Sequence, residues 1–294
     1  MLGLVDEPEE QRQAAAHYLP GRDGHLLVLG EQGCGKSTVL RLLSFQAQQH
    51  VSFGAQNVEG AWDGIGGVLD DTLVLIDNLE ALLAEFTLEH RDVFLESLMG
   101  LLRTGPQRGI FVVVTSQNGS TMTSAWRSLM KSTLVLGASV GRGVWGNHAL
   151  QIAQPPPSSG SLEPPRLPSL MAWQAGYLYI IVTARPRLRM AELEGVGVAG
   201  SGLLHLADVG RLSPEPLHVS NDGTAQVFIG DVEDWQSQFA LLARLRPHAT
   251  FIFDDCSPAE VRAVRRSRDV LPHASRGSAV SLNSEGVAAR VRLT

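Results

Sequence analysis

Excess positive charge is the first thing this chain lacks: 24 Lys and Arg stand against 30 Asp and Glu, for a net charge of −6 and a pI near 5.8. A surface built for non-specific grip on a phosphodiester backbone is therefore not indicated, and DNA is not an expected partner. Cysteine is nearly absent. Cys34 and Cys256 lie far apart in no CxxC arrangement, which excludes a disulfide framework and suits a reducing, cytoplasmic compartment. No apolar run approaches the roughly 18 to 20 residues of a membrane span. Residues 1–10 are acidic rather than signal-like, so direct membrane insertion is not expected. The histidines, scattered from His17 to His273, form no HxxxH or HExxH pair, and no plausible nucleophile pair appears. Neither a dedicated metal centre nor a serine-hydrolase nucleophile is expected.

What remains is ample apolar material. With 44% hydrophobic and 18% charged residues, the chain can bury one large core or two ordinary ones, and two domains are expected. The strongest local signal is Gly30-Glu31-Gln32-Gly33-Cys34-Gly35-Lys36-Ser37, a complete GxxxxGK[ST] pattern. The apolar run 26–29 before it reads as a buried strand, and residues 37–50 after it read as a helix, the context such a loop requires. Glycines let the backbone curl round a phosphate, so that the amides of the loop from Gly30 to Thr38 and the helix start point at the anion. In that arrangement Lys36 reaches the β and γ phosphates of ATP, and the Ser37 hydroxyl holds Mg²⁺. Cys34 has two readings: a thiol acidified by the positive helix end, or a small residue fitting a tight turn.

Residues 5–16 are polar and helix-tolerant and read as a lead-in, closed by Pro20-Gly21. Residues 51–67 show no period and read as loop with a short helix. The run 72–77 is apolar and ends in Asp77, the form of a Walker B strand, whose carboxylate holds Mg²⁺ or its waters beside Ser37. The next position decides between cleaving and holding the nucleotide. It is Asn78, whose amide cannot take a proton; Glu80, two residues on, is the alternative base if the strand end bends. A helix is expected over 87–104 with Thr87 as N-cap, and Gly105-Pro106 ends it. A central strand over 110–114 leads to Thr115-Ser116-Gln117, where Gln117 either senses the γ-phosphate or simply turns the chain. Residues 133–136 form a further short strand. The order describes a doubly wound α/β nucleotide-binding domain over 1–153, and the Pro/Ser-rich stretch 154–168 reads as a linker.

Residues 169–294 alternate again, with strands expected at 178–182, 203–206, 226–229 and 250–253 and helices at 188–193, 231–245 and 257–266. Gly230 and the helix after it imitate a phosphate site, but Asp231, Glu233 and Asp234 would repel a polyphosphate, while Asp231 and Asp234 suit a capping box. A degenerate α/β domain without a nucleotide site is expected. The GxGxxG pattern at 195–200 has a helix before it and a strand after it, the reverse of a dinucleotide site.

Together the motifs resemble FtsK/SpoIIIE-type P-loop ATPases, and more closely their type VII secretion relatives, which carry several ATPase modules in tandem. The resemblance is carried by Leu4-Val5-Asp6-Glu7-Pro8-Glu9-Glu10-Gln11-Arg12, by Gly24-His25-Leu26 through Lys36-Ser37, and by Leu75-Ile76-Asp77-Asn78-Leu79-Glu80. Gly109-Ile110-Phe111, Gly141-Arg142-Gly143 and Gln151-Ile152-Ala153 extend it. It covers residues 1–153, and weakly Gly230-Asp231 and Phe253-Asp254-Asp255 beyond. The resemblance implies MgATP held by Lys36, Ser37 and Asp77, and assembly as a homo- or hetero-oligomer with other ATPase modules, in which Arg142 reaches a neighbour. It also implies a secreted protein as substrate and a location beside a membrane-anchored complex. The departure at Asn78 implies weak hydrolysis. A docking or regulatory protein that holds nucleotide without cleaving it is the rival reading, and a DNA translocase module a third.

Overall fold

The structure is a computed structural model that describes residues 1–117, 124–156, 168–198, 202–209 and 225–294. It divides into two compact units, Met1–Pro165 and Arg166–Thr294. Most of the expected linker, and Ala199 and Gly200 of the GxGxxG pattern, lie outside the described residues.

Unit 1 is built on a nine-stranded sheet in the order β2-β1-β9-β8-β7-β3-β6-β5-β4. Its parallel heart consists of β7 (Ser132–Leu136), β3 (Leu26–Leu29), β6 (Phe111–Ser116), β5 (Leu73–Asp77) and β4 (His50–Gly54). These strands alternate across the sheet, and both faces are covered. Leu27, Val74, Ile76, Val112 and Val114 face α3 (Val58–Ile65), α4 (Leu79–Ala84) and α5 (Leu88–Thr104). Leu26, Val28, Leu75 and Val113 face Val39, Leu40 and Leu43 of α2 (Lys36–Gln46). Burial on both sides is why these strands read as unbroken apolar runs. Thr87 caps α5 as expected, its hydroxyl accepting from the His90 amide, and Phe94, Leu98, Leu101 and Leu102 are the buried face.

Two expectations for unit 1 fail. Residues 5–16 are not a lead-in but a hairpin, β1 (Gly3–Glu7) and β2 (Arg12–Ala16), paired antiparallel and joined to β9 (His148–Ile152). Gln11, with φ 49°, turns the chain between them. With one face exposed, the hairpin needs few apolar residues, so its sequence reads as polar. In the segment 51–67 the expected short helix is present as α3, but the part before it read as loop is an edge strand, β4, of which Phe53 is buried against α3 while His50 is exposed. The glycine-flanked stretch after β7 forms β8 (Arg142–Trp145) antiparallel to both β7 and β9.

His25, at the foot of β3, is 3% exposed and ties two elements together. Its Nδ1 accepts from the Val112 amide at 2.9 Å, so Nε2 carries the proton and donates to the Leu102 carbonyl at 3.0 Å. Burial pushes this imidazole below its usual pKa, and the Leu102 bond only partly opposes that. As pH falls, the unfolded chain therefore takes up a proton first, and the fold loses stability. Full stability is expected above the ordinary histidine pKa of about 6.5, with loss below it. Urea midpoints measured on both sides of that value should show a smaller acid loss in His25→Gln than in the parent; equal losses would refute the assignment.

Unit 2 carries a seven-stranded sheet in the order β10-β16-β15-β14-β11-β13-β12. The parallel part is β14 (Ala249–Asp254), β11 (Leu178–Thr183), β13 (Gln226–Gly230) and β12 (Gly202–His205). β15 (Ala279–Leu282) and β16 (Ala288–Arg292) run antiparallel beyond β14, and β10 (Ser169–Leu170) closes the edge. α7 (Pro186–Gly195) follows β11, and α8 (Leu206–Val209) follows β12. α9 (Val232–Ser237) and α10 (Phe239–Leu245) follow β13, and α11 (Pro258–Arg265) follows β14. The helix expected over 231–245 is broken at Gln238. The capping box is present as read: Asp231 accepts from the Asp234 amide at 2.8 Å, and Asp234 accepts from the Asp231 amide at 3.3 Å. Trp235 is fully buried, its indole N–H donating to the Ile181 carbonyl at 3.2 Å.

Candidate functional site

The chain enters β3 in the middle of the unit 1 sheet and moves to β4 at the edge. It returns through β5 and β6, then crosses to β7 on the other side of β3. The carboxyl end of β3 is thus the topological switch point, where open α/β sheets bind ligands. The GxxxxGK[ST] loop lies at that point. Gly33 and Gly35 have φ of 82° and 109°, which side chains rarely adopt. At Gly30 an added Cβ would come within 2.5 Å of the Cys34 sulfur, so the loop closes over a buried thiol that is 2% exposed. Cys34 is therefore the small residue under the turn: its side chain joins the core with Val39 and Leu136. Behind the loop the Gly30 amide donates to the Ser116 carbonyl at 3.3 Å, and the Gly141 amide donates to the Cys34 carbonyl at 3.0 Å.

A cavity of about 530 Å³ opens at the loop, and Gln32, Gly33, Gly35, Lys36, Ser37 and Thr38 line it with Asp77, Asn78 and Gln117. Lys36 is folded back, its ammonium donating to the carbonyls of Gly30 at 2.5 Å and Glu31 at 2.7 Å. Across the cavity the Ser37 hydroxyl donates to Asp77 Oδ2 at 2.8 Å, and Thr115 donates to Oδ1 at 2.9 Å. A hydroxyl and a carboxylate from separate elements are thus brought together beside a cation and a ring of glycines. This donor set fits a polyphosphate carrying a hard divalent ion.

Three other residues singled out in the sequence sit differently. Asn78 adopts φ 50° and caps α4, its side-chain oxygen accepting from the Ala81 amide at 3.3 Å while its own amide donates to the Thr115 hydroxyl at 2.7 Å. Asparagine tolerates that left-handed conformation better than most residues, which gives it a local reason to be there. Glu80 does not line the cavity. Its Oε1 accepts from the Ser116 hydroxyl and from the Gln117 amide, the latter at 3.2 Å, and its Oε2 is buried without a partner among the described residues. It holds the end of β6, and Gln117 thereby stands at the cavity wall. Arg142 is exposed beside the loop and donates to Gln151 Oε1 at 3.2 Å. The sequence reading missed Ala55, Gln56 and Ala81, which complete the wall. The first two follow β4, so a reader who recognises the strand in His50-Val51-Ser52-Phe53-Gly54 also finds them.

In unit 2 the corresponding switch point lies between β11 and β14, because the chain leaves β11 for β12 and β13 and then crosses to β14. The sequence reading placed the imitation of a phosphate site after β13 instead. No glycine loop stands at the end of β11; Ala184 and Arg185 lead straight into α7. The space holds an ion pair. Arg189 donates from Nε and Nη2 to the two carboxylate oxygens of Asp254 at 2.9 and 2.8 Å, and the Thr183 hydroxyl adds a bond of 2.8 Å. Asp254 is 4% exposed.

A doubly wound sheet with a phosphate-type loop at its switch point, followed by a second α/β unit of the same winding, is the fold of solved ATPase modules that stand in tandem. The particular likeness is to the type VII secretion ATPase EccC of Thermomonospora curvata. Its ATPases 2 and 3, solved in complex with a signal sequence peptide, match 100% of this chain and 92% of that one, with a TM-score of 0.54 at 13% identity. Its cytoplasmic domain matches with the same score and identity, and there the present chain spans 59% of the length. At this identity the likeness concerns the fold. No family model and no curated protein matches the chain. Among the described residues no helix is long and apolar enough to cross a membrane.

Proposed function

We propose that this chain is an ATP-binding module of an FtsK/SpoIIIE-type motor serving protein secretion of the type VII kind, with weak hydrolysis. The observation that carries the reading is the Ser37–Asp77 hydrogen bond of 2.8 Å facing Lys36 in the glycine-lined cavity. Backbone amides of Gly30, Gln32, Gly33, Cys34 and Gly35 and of the helix start through Thr38 cradle the phosphates. Lys36 leaves the loop carbonyls for the β and γ oxygens, and Ser37 and Asp77 hold Mg²⁺. The bound ion neutralises charge on the phosphates. Gln117 reports on the γ end. Unit 2 takes no nucleotide, because Arg189 and Asp254 neutralise each other where one would sit. Other ATPase modules and a secreted protein are the partners this reading carries.

A second reading, a docking or regulatory protein that holds ATP without cleaving it, is favoured by one observation. Asn78 is committed to a helix cap and Glu80 to Ser116 and Gln117, so neither presents a free base to a water in the cavity. Titration of the purified chain with MgATP should raise the stability of unit 1 by about 2.7 kcal/mol at a hundredfold excess over Kd. Absence of any rise would refute nucleotide binding. Single-turnover cleavage then divides the two readings. Slow cleavage abolished in Glu80→Gln supports the motor, and binding with no cleavage in the parent supports the docking protein.

A further inference from the structure

In unit 2 three arginines meet at one end of α11. Arg246, in the short turn after α10, donates from Nη1 to the Arg265 carbonyl at 3.1 Å and from Nη2 to the Val264 carbonyl at 2.7 Å, so its guanidinium is fastened to the carboxyl end of the helix. Arg265 is the last helical residue, and Arg266, the C-cap, has φ 58°. The Arg266 guanidinium lies 4.2 Å above the ring of Phe239 at the start of α10. No ion pair among the described residues engages any of the three. Nearby acids are otherwise occupied: Glu260 closes the capping box with Ser257 at the far end of α11, and Asp269 accepts from the Ser267 hydroxyl.

This arrangement is costly in the free protein. The helix end offsets about half a unit of charge, and the three guanidiniums carry a full positive charge each. Among the described residues Arg246 Nε and Arg265 Nη1 are buried without a hydrogen-bond partner, a condition rare in native structures. Desolvation, and then repulsion from Arg266 and Arg265, lower the pKa of Arg246 from its usual value, which places the three charges within each other's field. Strain of this kind persists where a function requires it.

We propose that Arg246, Arg265 and Arg266 form a receptor site for carboxylates, carried by an acidic peptide segment of a protein partner. Planar guanidiniums match carboxylates in paired hydrogen bonds, and a carboxylate on a flexible stem can enter a compact cluster of this kind. Two observations favour a peptide over nucleic acid. Arg266 already lies over one face of the Phe239 ring, so that face is taken from a stacking base. With a net charge of −6, the chain repels a long polyanion, whereas a short acidic segment meets only the patch.

The test uses the full chain and a labelled hexaglutamate peptide, read by fluorescence anisotropy, with hexaglutamine and duplex DNA as the other arms. Hexaglutamate is expected to bind, with affinity falling as salt is raised. The double variant Arg265→Gln/Arg266→Asn, in which asparagine keeps the left-handed backbone, should weaken it by about tenfold or more. Arg265→Gln alone should melt no lower than the parent, because it removes a repelling charge. Equal binding of hexaglutamine, unchanged binding by the double variant, or a marked fall in melting temperature of Arg265→Gln overturns the proposal. Tighter binding of DNA, lost in the double variant, would overturn it in favour of a nucleic-acid surface.

Discussion

Lys36→Ala is expected to weaken MgATP binding by roughly 10- to 150-fold, the equivalent of losing about 1.5–3 kcal/mol in charged hydrogen bonds. The reason lies in what the ammonium now touches. Lys36 is 9% exposed and satisfies the carbonyls of Gly30 and Glu31 within the loop. A triphosphate offers it full negative charge in place of two neutral oxygens, and that exchange is the part of the binding energy which alanine removes. The neighbouring amides and the Ser37–Asp77 pair remain, so residual binding is expected rather than none. Calorimetric titration of both proteins measures the difference, and melting without nucleotide shows whether the loop survives. An unchanged Kd would mean that the nucleotide, if bound at all, sits elsewhere.

The second large effect is expected in unit 2. Asp254→Ala removes the two-oxygen partner of a guanidinium whose side chain is 17% exposed and leaves it only the more exposed Glu192, 2.7 Å from Nη1, so the cost is expected to approach the roughly 3–5 kcal/mol of breaking a buried pair. The pair itself contributes much less than that. Replacing both members together, Arg189→Met with Asp254→Leu, is therefore expected to cost less than Asp254→Ala alone. Hydrogen exchange distinguishes the two cases, since the amides of β11 and β14 should lose protection in Asp254→Ala while those of β3 and β5 in unit 1 serve as the internal reference. Equal protection in the parent and Asp254→Ala would show that Glu192 alone satisfies Arg189.

The central strands were legible in the sequence because they are buried on both faces. Residues 26–29, 110–114, 178–182 and 250–253 stand out as apolar runs for that physical reason, and helix ends marked by Thr87, Asp231 and Ser257 could be read from their caps. The peripheral strands were not. β1, β2 and β4 lie at or toward the edge of the sheet and run for only five positions each; β1 alternates buried with exposed residues, while β2 and β4 bury only their last one or two, too little for a period to rise above local polarity. β15 and β16 had a usable signal in Asn283-Ser284-Glu285-Gly286, where Asn283 Oδ1 accepts from the Glu285 and Val287 amides and Gly286 turns with φ 84°. At the candidate site, Lys36, Ser37 and Asp77 converge because sequence motifs of fixed spacing sit on strands that pair with β6 on either side. The partners of Glu80 were beyond reach, since Ser116 is 36 residues away and meets it only through the packing of α4 on β6.

The closure of the phosphate loop over Cys34 bears on how the molecule can be studied. Cys34 is sealed beneath Gly30, and Cys256 donates to the Val182 carbonyl at 3.2 Å with burial pushing its thiol up to about 12. Cys34 is out of reach of a maleimide dye, and Cys256 offers it no ready thiolate under mild conditions. A pair of cysteines, one introduced on the exposed hairpin and one on α11, can therefore be tagged for distance measurements with both native thiols left in place.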